Sequence, residues 1–390
     1  MKLVRNLKLT LGGIAVAGLA ACGGGGGGAD SGTLRLALTD APSCGYDAVN
    51  VTIEKVRVHQ SSSASDADGG WSEIVLSPAL RIDLLSLQNG ALAELGEVTL
   101  PTGSYNQMRL VLADNNDATP LANSVVLTSD KSVVALKTPS GQQSGVKAKQ
   151  FNVDIAANQL ANFVVDFDAC KSVVVAGNSG QYLLKPQLSV IPRYVSGVAG
   201  FVAPALATTG FTSLSLQQGG VVVKATAPDS TGKFLLKPVA PGSYTLVMTA
   251  PDRSTAVVTN VVVAAELVTT INGSTTALNP PVSLSGTVNG SAPVDTLVRV
   301  LQPLTAGPTV EIAGRFVDGI TGSYSYPLVV GAPQVAPYVA LPGALVFASD
   351  ATAAGNYTLN ASLADLAAKT TVLAPLAAGA NLTVPPFTFP

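Results

Sequence analysis

Over residues 33–40, Leu34, Leu36 and Leu38 alternate with Arg35, Ala37 and Thr39, a period of two that buries one face of a strand. Residues 49–59 keep the alternation but change phase. Val49, Val51 and Ile53 share one register, Val56 and Val58 the other, and Glu54-Lys55 absorbs the extra residue, which predicts a β-bulge. A polar, glycine-ended loop follows over 61–70. Further strands are expected over 71–76, 107–112, 124–127, 132–137, 151–155, 163–168 and 181–191. Residues 81–97, with Leu84, Leu85, Leu87, Leu92 and Leu95, read partly as helix, interrupted by Asn89-Gly90. This strand count suits a two-sheet sandwich over residues 31–195.

The remaining chain repeats itself. Ser196-Gly197-Val198 matches Ser285-Gly286-Thr287-Val288, residues 222–228 align with 297–303, and Pro241-Gly242-Ser243-Tyr244 corresponds to Gly355-Asn356-Tyr357. Asn279-Pro280-Pro281 marks the joint, because Pro-Pro cannot continue a ladder. Two modules are therefore expected, over 196–278 and over 279–390, the second longer and more diverged. With Thr231-Gly232-Lys233-Phe234 and then Ala240-Pro241-Gly242-Ser243-Tyr244, the first copy resembles carboxypeptidase-regulatory or transthyretin-like seven-strand sandwiches. Gly103-Ser104-Tyr105 repeats the glycine–polar–tyrosine signature in the N-terminal module. Such a triplet sets a turn and starts a strand with a core-facing ring, a folding device with no binding role.

Composition agrees with this pattern. Gly (38) and Pro (25) are abundant among many Val and Thr, so the class is all-β: tandem antiparallel β-sandwiches, one larger N-terminal sandwich plus two transthyretin-like ones. Roughly 370 residues after the leader exceed what one core organises, so two or three domains are expected.

The N-terminus carries its own signal. Lys2, Arg5 and Lys8 precede an apolar run over 9–17, and Leu19-Ala20-Ala21-Cys22 closes it. A basic start, a short apolar stretch and small residues before a cleavage point make residues 1–21 a signal peptide, too short for a spanning helix. The last four residues resemble the lipobox of bacterial lipoproteins, which implies diacylglycerol on Cys22 and a membrane partner met through its acyl chains. Residues 22–30 then hold the lipidated cysteine and a linker whose six glycines, 23–28, span ~13 Å as a flexible coil. Gly23 stands where similar lipoproteins retained at the inner membrane carry aspartate, which favours the outer membrane.

Cleavage before Cys22 removes three of the 22 basic residues and none of the 24 acidic ones, leaving a formal balance of −5. Only 12% of residues are charged and the basic ones are scattered, so no nucleic-acid footprint exists. Three cysteines minus Cys22 leave Cys44 and Cys170, an even pair in a disulfide-permissive compartment.

The run Leu36-Ala37-Leu38-Thr39-Asp40-Ala41-Pro42 resembles the opening of the bacterial family called domain of unknown function 4382. So do Val49-Asn50-Val51-Thr52-Ile53 with Val56-Arg57-Val58-His59. Arg81-Ile82-Asp83-Leu84-Leu85 leading to Pro101-Thr102-Gly103-Ser104-Tyr105 and Arg109-Leu110 extends the match. The resemblance implies an exported lipoprotein with a β-sandwich and no assigned activity.

Catalytic chemistry lacks parts. The only histidine, His59, alternates with Lys55 and Arg57 and should face solvent. Ser144-Gly145-Val146-Lys147 and Ser230-Thr231-Gly232-Lys233 satisfy Ser-x-x-Lys, but in turns, whereas the catalytic version opens a helix. Zinc needs clustered Cys and His, and no phosphate loop exists. Lys224 and Asn260 stand where a lysine–asparagine cross-link forms in similar folds, but no acid sits between them to shuttle protons.

Oxygen ligands are the remaining chemistry. Asp66 and Asp68 share a loop at calcium-like spacing, Asp114 and Asp117 follow a strand, and Asp166 and Asp168 share a strand face expected to be exposed. As a metal set these six are weak candidates, since solvated turn residues explain most of them. Trp71 offers a sugar platform or, more ordinarily, a core cover. The expectation is therefore a lipid-anchored envelope protein with a non-catalytic binding, adhesion or spacer role and no cofactor. Its partner is an envelope protein or a glycan. The alternatives are a calcium- or carbohydrate-binding surface module and an accessory subunit of an envelope enzyme.

Overall fold

The computed structural model describes residues 30–40, 45–138, 145–148, 150–209 and 211–390. Cys22, the glycine linker, Cys44 and Ser144 lie outside the described residues. The chain is all-β, in tandem sandwiches.

In the N-terminal module, β1 (Ser31–Asp40), β2 (Tyr46–His59), β3 (Ser72–Asp83) and β4 (Ala93–Pro101) are followed by β5 (Gly103–Tyr105), β6 (Gln107–Leu112) and β7 (Ser124–Leu127). Then come β8 (Val133–Lys137), β9 (Val146–Lys147), β10 (Val153–Ile155), β11 (Leu160–Phe167), β12 (Val173–Ala176), β13 (Gln181–Leu184) and β14 (Leu188–Pro192). One sheet runs β14-β11-β1-β4. A second is eight-stranded, with β2 at its centre, and β5 pairs with β10 in a two-stranded ribbon. Leu34, Leu36 and Leu38 meet Val49, Val51, Ile53, Val56 and Val58 in the core between them.

The bulge is where the phase change placed it. Pairing of β2 with both β3 and β6 shifts between Ile53 and Lys55, and Glu54 is exposed. The extra residue lets odd-numbered valines before it and even-numbered ones after it face one core.

The helix expected over 81–97 is absent. β3 runs on through Asp83, a single 3-10 turn covers Leu84–Leu87, and the chain leaves it through Asn89 and Gly90, both at positive φ. The Asp83 carboxylate caps the turn by accepting from the Leu85 amide at 3.1 Å. Leu84, Leu87 and Leu95 are still buried, but from a turn and a strand. The Asn-Gly break won over the leucine spacing.

The second module has β15 (Gly197–Phe201), β16 (Ser213–Gln218), β17 (Val221–Thr226), β18 (Lys233–Leu236), β19 (Gly242–Thr249), β20 (Ala256–Val263) and β21 (Val268–Thr270). The third has β22 (Ser285–Ser291), β23 (Leu297–Pro303), β24 (Thr309–Phe316), β25 (Ser323–Val329), β26 (Gln334–Pro337), β27 (Ala348–Ser349), β28 (Thr358–Ser362), β29 (Lys369–Val372) and β30 (Asn381–Thr383).

Their pairing plans coincide. The sheet β18-β15-β21 matches β25-β22-β30, and β17-β16-β19-β20 matches β24-β23-β28-β29. Even the bulges agree, at Leu216/Gln217 and at Val300/Leu301. This corrects the repeat alignment: residues 297–303 are the counterpart of 213–218, one strand earlier than the 222–228 that sequence similarity selected. Runs of alternating valine look alike whichever strand they form.

The extra length of the third module has a destination. β26 pairs parallel to β20, β27 pairs with β26, and the second module's sheet grows to six strands. Tyr338, Leu345 and Phe347, from the same excursion, pack on the second module's core. Val247 and Val257 on the outer face of that sheet meet Leu304, Val310 and Ala353 in a small core shared by the two modules.

The tyrosines of the three triplets are all buried. Tyr105 donates to Pro101 O at 3.2 Å and Tyr244 to Ala240 O at 2.9 Å, the same four-residue return, while Tyr357 donates to Val329 O at 2.5 Å. Positive φ is required at Gly103 and Gly355. Gly242 lies outside that region, and a side chain there would crowd the Tyr244 ring.

Candidate binding cleft at the module junction

The six candidate aspartates are scattered, and the carboxylates of Asp66, Asp68, Asp166 and Asp168 are each engaged by a protein partner. Asp66 pairs with Arg109. Asp68 accepts from the Ser65 amide at 2.9 Å, and that bond holds its carboxyl below the usual carboxylate range. Beside Asp114 and Asp117, the Asn116 side chain closes the turn by accepting from the Ala118 and Thr119 amides. Asp168 caps the short helix α1 (Ala169–Ser172) by accepting from the Lys171 amide at 2.9 Å. Among the described residues, no group of three or more His, Cys, Asp or Glu is placed to hold a metal.

Asp166 is the clear correction. Expected on an exposed face, it is buried at 8% exposure, its carboxylate 2.9 Å from the Lys224 ammonium, itself 2% exposed. The second module covers this face of β11. Lys224 thus points toward the first module, and Asn260 is an exposed residue at positive φ, so the pair considered for a cross-link serves separate ends.

His59 and Trp71 belong to one cluster. The His59 Nδ1 accepts from the Ser61 amide at 2.8 Å, so Nε2 carries the proton and donates to Gly69 O at 3.0 Å. The imidazole is half-buried against Trp71 with ring centres 5.1 Å apart, where full exposure was expected. Arg57 and Arg109 lie 4.5 and 5.0 Å from the Trp71 ring centre, occupying the surface a sugar would stack on.

Around Lys224 the three modules are locked by buried polar contacts. Lys171 sits 3.5 Å from Asp168 and 3.3 Å from Glu311 of the third module. Burial pulls the Lys171 pKa down, but the two carboxylates more than offset it and hold it above the ordinary lysine value. Arg299 pairs with Glu311 at 2.6 Å and reaches back to Gly220 O of the second module. Gln217 exchanges two hydrogen bonds, both 2.7 Å, with the backbone of Glu311. From the first module, Asn89 donates its amide to Thr226 Oγ1 and accepts from the Leu235 amide, each at 2.9 Å.

These contacts leave a cleft of about 830 Å³ lined by all three modules. The first contributes Tyr46 and Val174, the second Phe211 and Thr255, the third β25 and the neighbouring stretch of β24. Phe211 is 46% exposed. Arg315 extends from β24 with its guanidinium 4.7 Å over the Tyr326 ring and donates to Ser325 O. Among the described residues it has no carboxylate within ion-pair distance. It faces Tyr46 closely enough to draw that phenol's pKa down, although burial, reinforced by Tyr182, raises it to about 12.

Two buried hydroxyls, Tyr324 Oη and Thr255 Oγ1, have no hydrogen-bond partner among the described residues, and the Tyr324 ring lies in the third module's core beside Tyr326 and Phe387. Tyr324 is the counterpart of Phe234 in the second module. Each ring packs over a glycine of the first strand, Gly290 or Gly200, where any side chain would collide with it. Sequence reading passed over Arg315 and Tyr324; the phenylalanine-to-tyrosine change at matched positions was the available signal.

No curated protein matches this chain. Among solved structures, two cohesin–X-dockerin complexes of Acetivibrio cellulolyticus, both interface mutants, align at 23% and 26% identity over 23% and 22% of this chain. The TM-scores are 0.19 and 0.18. The chain spans 58% and 55% of the length of those two chains. A Ca²⁺-stabilized adhesin that helps an Antarctic bacterium reach out and bind ice aligns over 90% of this chain and 74% of its own, at 11% identity and a TM-score of 0.11. Residues 31–186, which end two residues before β14, match the family model described as "Domain of unknown function (DUF4382)".

Proposed function

We propose that this is a non-catalytic binding protein of the bacterial envelope, tethered through lipidated Cys22 and engaging its ligand in the junction cleft. The observation that carries this reading is the cleft itself: three modules converge on it, and its exposed Arg315 guanidinium has no carboxylate partner among the described residues. The only imidazole is hydrogen-bonded elsewhere through both ring nitrogens, which supports binding over acid–base turnover. Buried ion pairs across the junction support one rigid body in place of a string of loose beads.

The tether and the disulfide belong to the same proposal. Asp40, four residues before Cys44, accepts from the amide of Ala169, which adjoins Cys170, and Cys170 itself is engaged. The Asp40–Ala169 contact supports the proposed Cys44–Cys170 bridge. Outer-membrane placement follows from Gly23.

The test is a panel of envelope saccharides, peptides and hydrolase substrates, presented to the mature protein and to Ser325→Trp. Ser325 is an exposed cleft residue whose enlargement fills the space without touching the core. A ligand lost in Ser325→Trp supports the reading. Binding indifferent to Ser325→Trp, or turnover abolished by His59→Ala, overturns it. Palmitate labelling unchanged in Cys22→Ser would overturn the tether.

A further inference from the structure

We infer that the connection between β20 and β21 docks on the lipid bilayer, a second membrane contact beside the acyl chains; this rests on the tether at Cys22. Surface connections are ordinarily polar. This one reads Val262-Val263-Ala264-Ala265-Glu266-Leu267-Val268, and every residue but Val263 is exposed. Val262, Leu267 and Val268 are 40 to 62% exposed.

Single exposed aliphatic side chains are ordinary, whereas a contiguous group marks a contact surface. Here the backbone joins them. Gly197 pairs with Val268 and donates its amide to Leu267 O at 3.1 Å, which brings the exposed Val195, two residues earlier, to the same place. Thr269 Oγ1 donates to Val262 O at 2.6 Å and holds the two arms of the connection together.

The tether leaves the molecule at this end. The Ser31 carbonyl, at the start of β1, accepts from the Asn158 amide at 2.8 Å. Thr33 pairs with Leu160, an exposed residue on the face of β11 that carries Asp166. On the other side of β11, Arg193 donates its amide to Asn162 O at 2.9 Å, and the chain passes through Val195 into the second module. Asp30 and the Val195–Leu267 neighbourhood therefore share one end of the sheet. From Cys22 to Asp30 is eight residues, at most about 28 Å of extended chain. The acyl anchor keeps this end within that distance of the headgroups, so insertion of a few aliphatic side chains becomes an intramolecular event at high local concentration.

The charge pattern selects apolar insertion. Glu266 is the one charged residue of the connection, and its carboxylate suits the ammonium of phosphatidylethanolamine at headgroup depth. Neighbouring charges are matched within the protein, Arg193 by Glu94 at 2.7 Å and Arg35 by Glu97 at 2.8 Å. Among the described residues of this end, no cluster of lysine and arginine selects anionic lipid. A protein strand would find little to pair with, because the edge strand β21 is three residues long.

The experiment reads hydrogen exchange in the lipidated mature chain on vesicles of phosphatidylethanolamine and phosphatidylcholine, against the same protein carrying Leu267→Glu/Val268→Glu. Both residues are exposed, so the fold is spared, and the melting temperature checks this. Exchange at Ala264 and Ala265 is expected to be about tenfold slower in the parent than in the variant. The edge strand β29 of the third module is the internal control and should exchange alike in both. High salt should leave the difference in place. Should the double variant melt early, Leu267→Ser replaces it, with about a threefold difference expected.

Equal exchange at Ala264 and Ala265 in parent and variant, or a difference that high salt removes, overturns the inference and leaves the tether standing. A difference seen on whole envelopes but not on the lipid vesicles would make the occupant a protein and overturn the bilayer. Absence of lipid on Cys22 overturns the tether, and the inference falls with it.

Discussion

The second and third modules share one strand plan, yet the same edge meets different neighbours. In the second, β17 and β18 abut the first module: Asn89 caps the Leu235 amide and Thr226, and Lys224 on β17 is neutralised by Asp166. In the third, the matching β24 and β25 form the wall of an open cleft. The side chains follow the neighbourhood. Phe234, sealed at 0% exposure, becomes Tyr324 with an unmatched hydroxyl, and the outward Leu235 becomes Ser325. One fold therefore serves as a cemented joint in one copy and as a receptive surface in the other, and the covering module makes the difference.

The largest test of this comparison breaks the cement. Lys224→Met leaves Asp166 buried without its cation, and a loss of about 3–5 kcal/mol is expected. Lys224→Met/Asp166→Leu should recover most of it, because two buried charges are then replaced by apolar volume. Chemical denaturation followed at the second module's transition measures both. A single-variant cost under about 1 kcal/mol would mean that the pair is hydrated in solution and the joint loose.

Exchanging the matched aromatics comes next. Phe234→Tyr inserts a hydroxyl into a sealed core and should destabilise by about 1–3 kcal/mol. A smaller effect is expected from Asn89→Gly, which keeps the positive φ of 55° but deletes the cap. It should cost about 1–2 kcal/mol, with faster hydrogen exchange at Leu235 as its specific readout. Smallest of all, Tyr324→Phe should stay within about 1 kcal/mol of the parent or gain slightly, since no protein partner is lost. If Tyr324→Phe proved as damaging as Phe234→Tyr, the two edges would not differ as described.

The second module's sheet also shows why some inferences from sequence held and others failed. The alternation in β1, the bulge at Glu54 and the buried tyrosines of the three triplets were legible because each depends on residues a few positions apart. Strand parity assigns a side chain to one face of its own sheet. It is silent on whether another module covers the other face. Asp166 follows from parity as an outward residue, and outward here means into the second module. The clue lay in its setting, a lone acid between Val165 and Phe167, matched by a lone lysine in the apolar stretch of β17.

Sequence alone determined an all-β chain of tandem sandwiches, the register of its first strands and the match of its N-terminal module to a recognisable family, because hydrophobic period and turn chemistry are local. Tertiary structure alone decided that β26 crosses to the second module, that Lys224 meets Asp166 58 positions away, and that Arg315 lines a cleft shared by three modules. Contacts between modules depend on how finished surfaces fit, and that fit leaves no periodic trace in the chain.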